Sequence, residues 1–436
     1  MPRQYTDEQL AEIARPFEAH AIDALQAGDI IRVRELLKEM AAGHLGLDAL
    51  SVHTLARKIG KLRQDFTEEE ARAALLRISH ELMRTWIDQF REGDERDAIG
   101  ALVEVHKYQG GAQLHCSETE DEVVVDLAPC GSGGRLEQQG VTKKYPQWYA
   151  GWSDGVSGYC QGCKAHQQAL NDAVGEPVWT TEKGADGHCR MRFRKHRHQG
   201  QRLFSDTELD QLAKTRVQQM QDKLDAGDHD IVPLLHGQRK EWKPWHDFAV
   251  CWLEFFYGNA LATRGTDYLD ETLRATYEPA FEIGLPRYAA MSDDELVREI
   301  AKTWNYHCAD FTLREEDDRF VFVLDPCGSG GRLLRGEMWR DMFRYGQPLA
   351  PFIALPHNIT FGRSEAPAYC THCAASNRAQ LKAGPFFFVI DGHAQMKPGQ
   401  ACRQFSYKKG ISRQQVDPAL LAQIGMHSGP ASNNNV

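Results

Sequence analysis

The sequence predicts an α+β fold made by internal duplication. Each half is a helical segment followed by a small antiparallel β module stapled by a four-cysteine metal site. Three observations lead there. The octapeptide Pro-Cys-Gly-Ser-Gly-Gly-Arg-Leu occurs at residues 129–136 and again at 326–333. Each octapeptide opens a C…CxxC…C set: Cys130, Cys160, Cys163 and Cys189 in the first copy, Cys327, Cys370, Cys373 and Cys402 in the second. Helical periodicity precedes each set, whereas β-branched and aromatic runs lead into it.

Residues 1–108 read as a helical region. Thr67-Glu68-Glu69-Glu70 has the spacing of a capping box, and Leu75, Ile78, Leu82, Trp86 and Phe90 then follow at steps of three and four. Residues 109–203 form the first module. The strand Val123-Val124-Val125 leads into Cys130, and a further strand begins near Val178-Trp179. Residues 204–304 are helical again, with Ser205-Asp206-Thr207-Glu208 and Ser292-Asp293-Asp294-Glu295 as start signals. Residues 305–426 form the second module, with strands at Phe320–Leu324 and Phe386–Ile390. Cys163 precedes Trp179 by the same interval as Cys373 precedes Val389, which matches the two later strands. The helical halves are paired by order alone, and residues 427–436 read as a disordered tail.

The repeat sorts ligands from bystanders. Cys116 lies 14 residues before Cys130 whereas Cys308 lies 19 before Cys327, so these two are not equivalent. Cys251, within Phe248-Ala249-Val250-Cys251-Trp252-Leu253, reads as a buried inert thiol. The remaining eight form two sets of four thiols, which suit a tetrahedral soft-metal centre. Zinc is the expected metal, two ions per chain, with an iron–sulfur cluster as the alternative. Haem attachment is excluded, because Lys164 and Ala374 stand where CxxCH needs histidine. The Gly-Ser-Gly-Gly turn folds the backbone back so that its N–H groups reach the thiolate. Arg135 and Arg332 are expected to offset thiolate charge or to form an anion nest.

Composition limits the function classes. The chain has 436 residues, a hydrophobic fraction of 42% and a net charge of −10. That charge opposes general nucleic-acid binding, with one local exception, the basic run Arg190–Arg202. No apolar stretch is long enough to span a bilayer, so no membrane partner is expected. CxxC pairs with no secretory signal ahead of them point to a reducing, cytoplasmic setting. No oligomeric state is read from the sequence. A closed four-cysteine site has no open coordination position, so chemistry is expected beside the metal. The second copy carries the extra segment Pro356–Arg363 between its turn and its CxxC. The leading reading is therefore an enzyme acting on a small organic substrate beside the second module, with His357, Arg332, His307 and His393 as candidate catalytic residues. Asp310, Asp325 and Asp391 are nearby polar candidates. The alternatives are a zinc-stabilised protein-interaction or nucleic-acid-binding protein, and an iron–sulfur redox protein.

Overall fold

Val123, Val124, Val125 and Leu127 are all buried, as are Phe320, Val321, Phe322 and Leu324. Such continuous apolar runs are covered on both faces and become inner strands. The computed structural model describes residues 3–109, 112–149, 151–184, 187–342, 352–364, 366–383, 388–392 and 400–426. It is a mixture of helices with two small antiparallel sheets, consistent with the expected α+β class. The first sheet contains β1 (Leu114–Glu118), β2 (Glu122–Leu127), β3 (Trp179–Lys183) and β4 (Cys189–Arg194) in the order β1-β2-β4-β3. The second comprises β5 (Phe311–Glu315), β6 (Arg319–Leu324), β9 (Phe388–Asp391) and β10 (Cys402–Tyr407) in the order β5-β6-β10-β9. A two-stranded ribbon, β7 (Phe352–Ile353) with β8 (Ala366–Pro367), lies within the longer second segment.

The registers correspond as well. Leu127 pairs with Cys189 and Leu324 with Cys402, so the last cysteine of each set starts the strand beside the inner one. Trp179 pairs with Phe193 and Val389 with Phe405, as the equal spacing anticipated for the outer strands. Both Ala128–Pro129 and Asp325–Pro326 are cis. Cys116 sits within β1 opposite Val125, whereas Cys308 occupies a left-handed turn at φ 55°, so the two bystanders differ in place as expected.

The chain divides into two compact units. One, holding the first sheet, comprises Phe17–Phe256 and Trp339–Pro348. The other, holding the second sheet, comprises Met1–Pro16, Tyr257–Met338 and Leu349–Val436. The helical segment Val232–Glu282 runs from one to the other and departs from helical geometry at Gly265 (φ 80°, ψ −172°).

The helical halves correspond in a way that order alone did not reveal. Asp23-Ala24-Leu25-Gln26-Ala27-Gly28-Asp29 matches Asp222-Lys223-Leu224-Asp225-Ala226-Gly227-Asp228. Each stretch ends a helix, Phe17–Gln26 or Arg216–Asp225, at a glycine of positive φ, 73° and 76° respectively. Seventeen residues before the start of each stretch stands a capping box, at Thr6 and at Ser205 respectively. Each box follows an aromatic residue, Tyr5 or Phe204. The backbone N–H groups of Leu203 and Phe204 donate to Glu118 of β1, and those of Gln4 and Tyr5 donate to Glu315 of β5. Each glutamate also meets a buried lysine at the end of its sheet, Lys195 at 2.8 Å and Lys408 at 2.6 Å. The helix Asp7–Ala14, first in the chain, therefore packs with the second sheet, while Asp206–Ala213 packs with the first.

Candidate metal centres

Local chain geometry gathers each cysteine set. Cys130 and Cys327 end the turn that follows an inner strand. Ser132 and Ser329 then adopt nearly the same backbone, φ −112°, ψ −93° and φ −115°, ψ −90°. The glycines on either side are required by close approach. A Cβ at Gly131 would meet the Gln109 carbonyl, and one at Gly328 the His307 carbonyl. A Cβ at Gly133 would run into Cys160 Sγ, and one at Gly330 into Cys370 Sγ. These glycines therefore let the turn lie against the CxxC sulfur. The CxxC itself sits at a helix start: Cys160 and Cys163 in Gly158–Val174, Cys370 and Cys373 at the junction of Ala368–Cys370 with Thr371–Ala383.

All four thiols of each set share one neighbourhood. Burial, then the charges of Cys189, Cys160 and Cys130, pushes the Cys163 thiol well up. Burial, then Cys370, Cys402 and Cys327, does the same to Cys373. Burial followed by neighbouring thiols raises Cys189 to about 12. Cys160 rises to about 11, through burial that a hydrogen bond from Ser157 partly counters. Among the described residues, no group of three or more His, Cys, Asp or Glu side chains is arranged to hold a metal ion as it stands. The cysteines are thus brought together, and the ligand geometry itself is not displayed.

Polar groups converge on the sulfurs. The Gly331 N–H donates to Cys327 Sγ at 3.0 Å, the contact expected of the Gly-rich turn. Ser157 Oγ donates to Cys160 Sγ at 3.1 Å, and Cys402 Sγ donates to the Asp391 carbonyl at 3.1 Å. The hydroxyl of Tyr159 lies beside Ser132 and that of Tyr369 beside Ser329. The cations whose charge reaches the thiols are Lys183 in the first unit and Arg363 in the second. Arg135 pairs instead with buried Asp48 at 2.9 Å. Arg332 donates to the Gly328 carbonyl at 3.4 Å and lies 3.9 Å from Glu337. Sequence reading missed Lys183, although β3 offered the signal: it pairs directly with Cys189.

A cavity of about 30 Å³ adjoins the first set, bounded by Cys130, Cys163, Cys189, Tyr159, His166 and Trp252. His166 Nδ1 contacts Ser79 Oγ at 2.8 Å, while its Nε2 finds no partner among the described residues. The matching position in the second copy is Ser376, which hydrogen-bonds the Cys373 carbonyl.

The residues expected at a catalytic site have local tasks. His357 Nδ1 accepts from the Ile359 N–H at 3.2 Å, capping the turn Asn358–Thr360, and its Nε2 lies 3.4 Å from the exposed Asp267. His307 closes the helix Asp293–Tyr306, its ring tilted against Trp304. Asp310 N–H donates to the Pro326 carbonyl at 3.1 Å, Asp325 pairs with Arg335, and Asp391 pairs with Arg403. His393 and the tail 427–436 lie outside the described residues. Cys251 is buried in a helix, as expected. Among the described residues, no helix is long and apolar enough to cross a membrane.

Much of the basic run is paired with local carboxylates. Arg190 pairs with Asp126, Arg192 with Glu122 and Glu182, Lys195 with Glu118, and Arg202 with Asp206. His196 and His198 face Glu176 and Glu95. No family model, curated protein or solved structure matches this chain.

Proposed function

We propose that the chain is a duplicated zinc protein in which Cys130, Cys160, Cys163 and Cys189 hold one ion and Cys327, Cys370, Cys373 and Cys402 the other. The observation that carries this reading is the gathering of all four repeated cysteines of each set into one neighbourhood, within one unit. A closed tetrahedral zinc shell takes such a set of four thiolates as its donors. Four thiolates repel one another strongly in a low-dielectric site, and a divalent cation offsets that repulsion. The Gly331 N–H and the Ser157 hydroxyl lower thiolate basicity from outside the shell, which favours a stable closed centre over a reactive one. Both ions in this reading are structural, each fixing a turn, a helix start and a strand start of its own sheet.

Elemental analysis of the purified protein tests this. Two zinc ions per chain and a colourless solution are expected. Iron with labile sulfide and a brown colour would replace zinc by the iron–sulfur redox reading. An enzyme working on a small organic substrate beside the second module, in a reducing cytoplasmic setting, is the wider role we infer. His357→Ala tests that role, since the variant must lose turnover or ligand binding while keeping its metal.

A further inference from the structure

The helix Ile30–Asp65 carries Asp48, His53 and Arg57 into the interior of the first unit. His53 and Arg57 are four residues apart and so share one face. Gly60, one turn on, permits the short helix Pro146–Tyr149 to come close, because a Cβ there would stand 2.6 Å from the Trp148 carbonyl oxygen. That approach places the Tyr149 hydroxyl 2.8 Å from His53 Nδ1 and within hydrogen-bond reach of Arg57. The Arg57 guanidinium lies 6.0 Å from the ring centre of Tyr145 and 5.8 Å from that of Trp148.

The charges in this corner do not balance. Asp48, 0% exposed, is matched by Arg135 of the repeated turn at 2.9 Å. Arg57 is 6% exposed, and its Nε has no hydrogen-bond partner among the described residues. Its described neighbours are aromatic rings and a phenol, with no carboxylate among them. A buried guanidinium held without a counter-charge is costly, and its planar fork matches the paired oxygens of a carboxylate or a phosphate. His53 and Arg135 stand on the same side: burial, then the charges of Arg135 and Arg57, holds the imidazole down near 4, leaving it neutral. His53 and Tyr145 are only half-buried, so the corner reaches solvent.

We propose that Arg57, Tyr149 and His53, with Arg135 behind them, bind the oxyanion of a small molecule, a carboxylate or a phosphate, whose remaining body lies against Tyr145 and Trp148. The guanidinium fork takes two anionic oxygens, and the Tyr149 hydroxyl donates to one of them. The aromatic rings offer apolar faces to a flat body. This site does not require the zinc reading, since Arg57, His53 and Tyr149 come from helices rather than from the cysteine framework.

Calorimetric titration of the full-length protein with benzoate and, separately, with inorganic phosphate tests the proposal, with metal content measured on the same samples. Saturable binding of at least one probe is expected. Arg57→Gln should weaken it at least tenfold with metal content unchanged, and Arg57→Lys, which keeps the charge but loses the fork, should fall between. Binding of both probes reduced only at high salt in equal proportion for wild type and R57Q would overturn the site, as would no binding of either probe at millimolar concentration. Should R57Q fail to fold, Tyr149→Phe decides: a loss of threefold or more supports the site, and unchanged affinity removes it.

Discussion

Single residues show how closely the two copies agree in their costly details. Lys195 and Lys408 are both fully buried, each facing one glutamate, Glu118 or Glu315, that also accepts two backbone N–H groups. Removing one member leaves the other charge uncompensated in the interior. Lys408→Met should therefore destabilise the second unit by about 3–5 kcal/mol in urea unfolding. Glu315→Gln should cost about as much, because it leaves the Lys408 ammonium buried without its counter-charge even though the amide oxygen still accepts from Gln4 and Tyr5. The pH dependence has a definite sign. Burial alone would raise the Glu315 carboxyl, but Lys408 and the two N–H groups lower it below its ordinary value. A carboxyl lowered on folding contributes stability above its unfolded value, which is lost as pH falls through the folded one. Stability should hold from neutrality down to about pH 4.5 and decline below it, and this decline should be shallower in Glu315→Gln. His357→Ala removes a cap rather than a buried charge. It should cost about 0.5–2 kcal/mol in the second unit while leaving metal content unchanged.

Elements show which parts of the fold the sequence made legible. The inner strands and the capped helices were readable because local signals dominate there: apolar runs in β2 and β6, and Ser or Thr followed by Glu or Gln at Thr67, Ser205 and Ser292. The outer strands β1 and β5 gave weaker signals, as partly exposed five-residue edges tolerate mixed residues. Least visible was the partnership of the first helix. Its apolar residues Leu10 and Ile13 pack with Val297, Ile300 and Leu313 of the second sheet's core, hundreds of residues away in sequence. Only the repeated Asp-x-Leu-x-Ala-Gly-Asp and the capping boxes before it disclose that Asp7–Ala14 corresponds to Asp206–Ala213. Similarly, the four cysteines of each set could be listed from spacing, whereas the Arg57 corner could not. His53 and Arg57 are ordinary in a helical pattern, and only the close approach at Gly60 joins them to Tyr149. Deletion of residues 1–16 tests the element-level pairing. It uncovers the core around Val297 and strips two donors from Glu315, so hydrogen exchange should accelerate in β5 and β6. Exchange in β1 and β2 should stay as in the full chain, since their helix is Asp206–Ala213.

At the scale of the molecule, the proposed zinc reading gives two separable sites, because each cysteine set is self-contained. Every thiol whose charge reaches Cys163 comes from the first set, and every one that reaches Cys373 comes from the second. Each set lies within a single unit. Metal binding to such a site is itself folding free energy for the small sheet it fixes. Loss of one ligand should then release one ion and melt one sheet. Cys160→Ser is expected to lower zinc from two per chain to one and to expose the amides of β2 and β4. Cys370→Ser is expected to give the same stoichiometry with exposure in β6 and β10 instead, and the double variant to retain none. Cys251→Ser, a buried thiol outside both sets, should keep two ions and differ little in thermal stability. Zinc content by mass spectrometry, read with hydrogen exchange on the same preparations, separates these outcomes. If Cys160→Ser alone emptied both sites, the centres would be coupled through the chain, and the picture of two independent staples would give way to one cooperative metal-dependent fold.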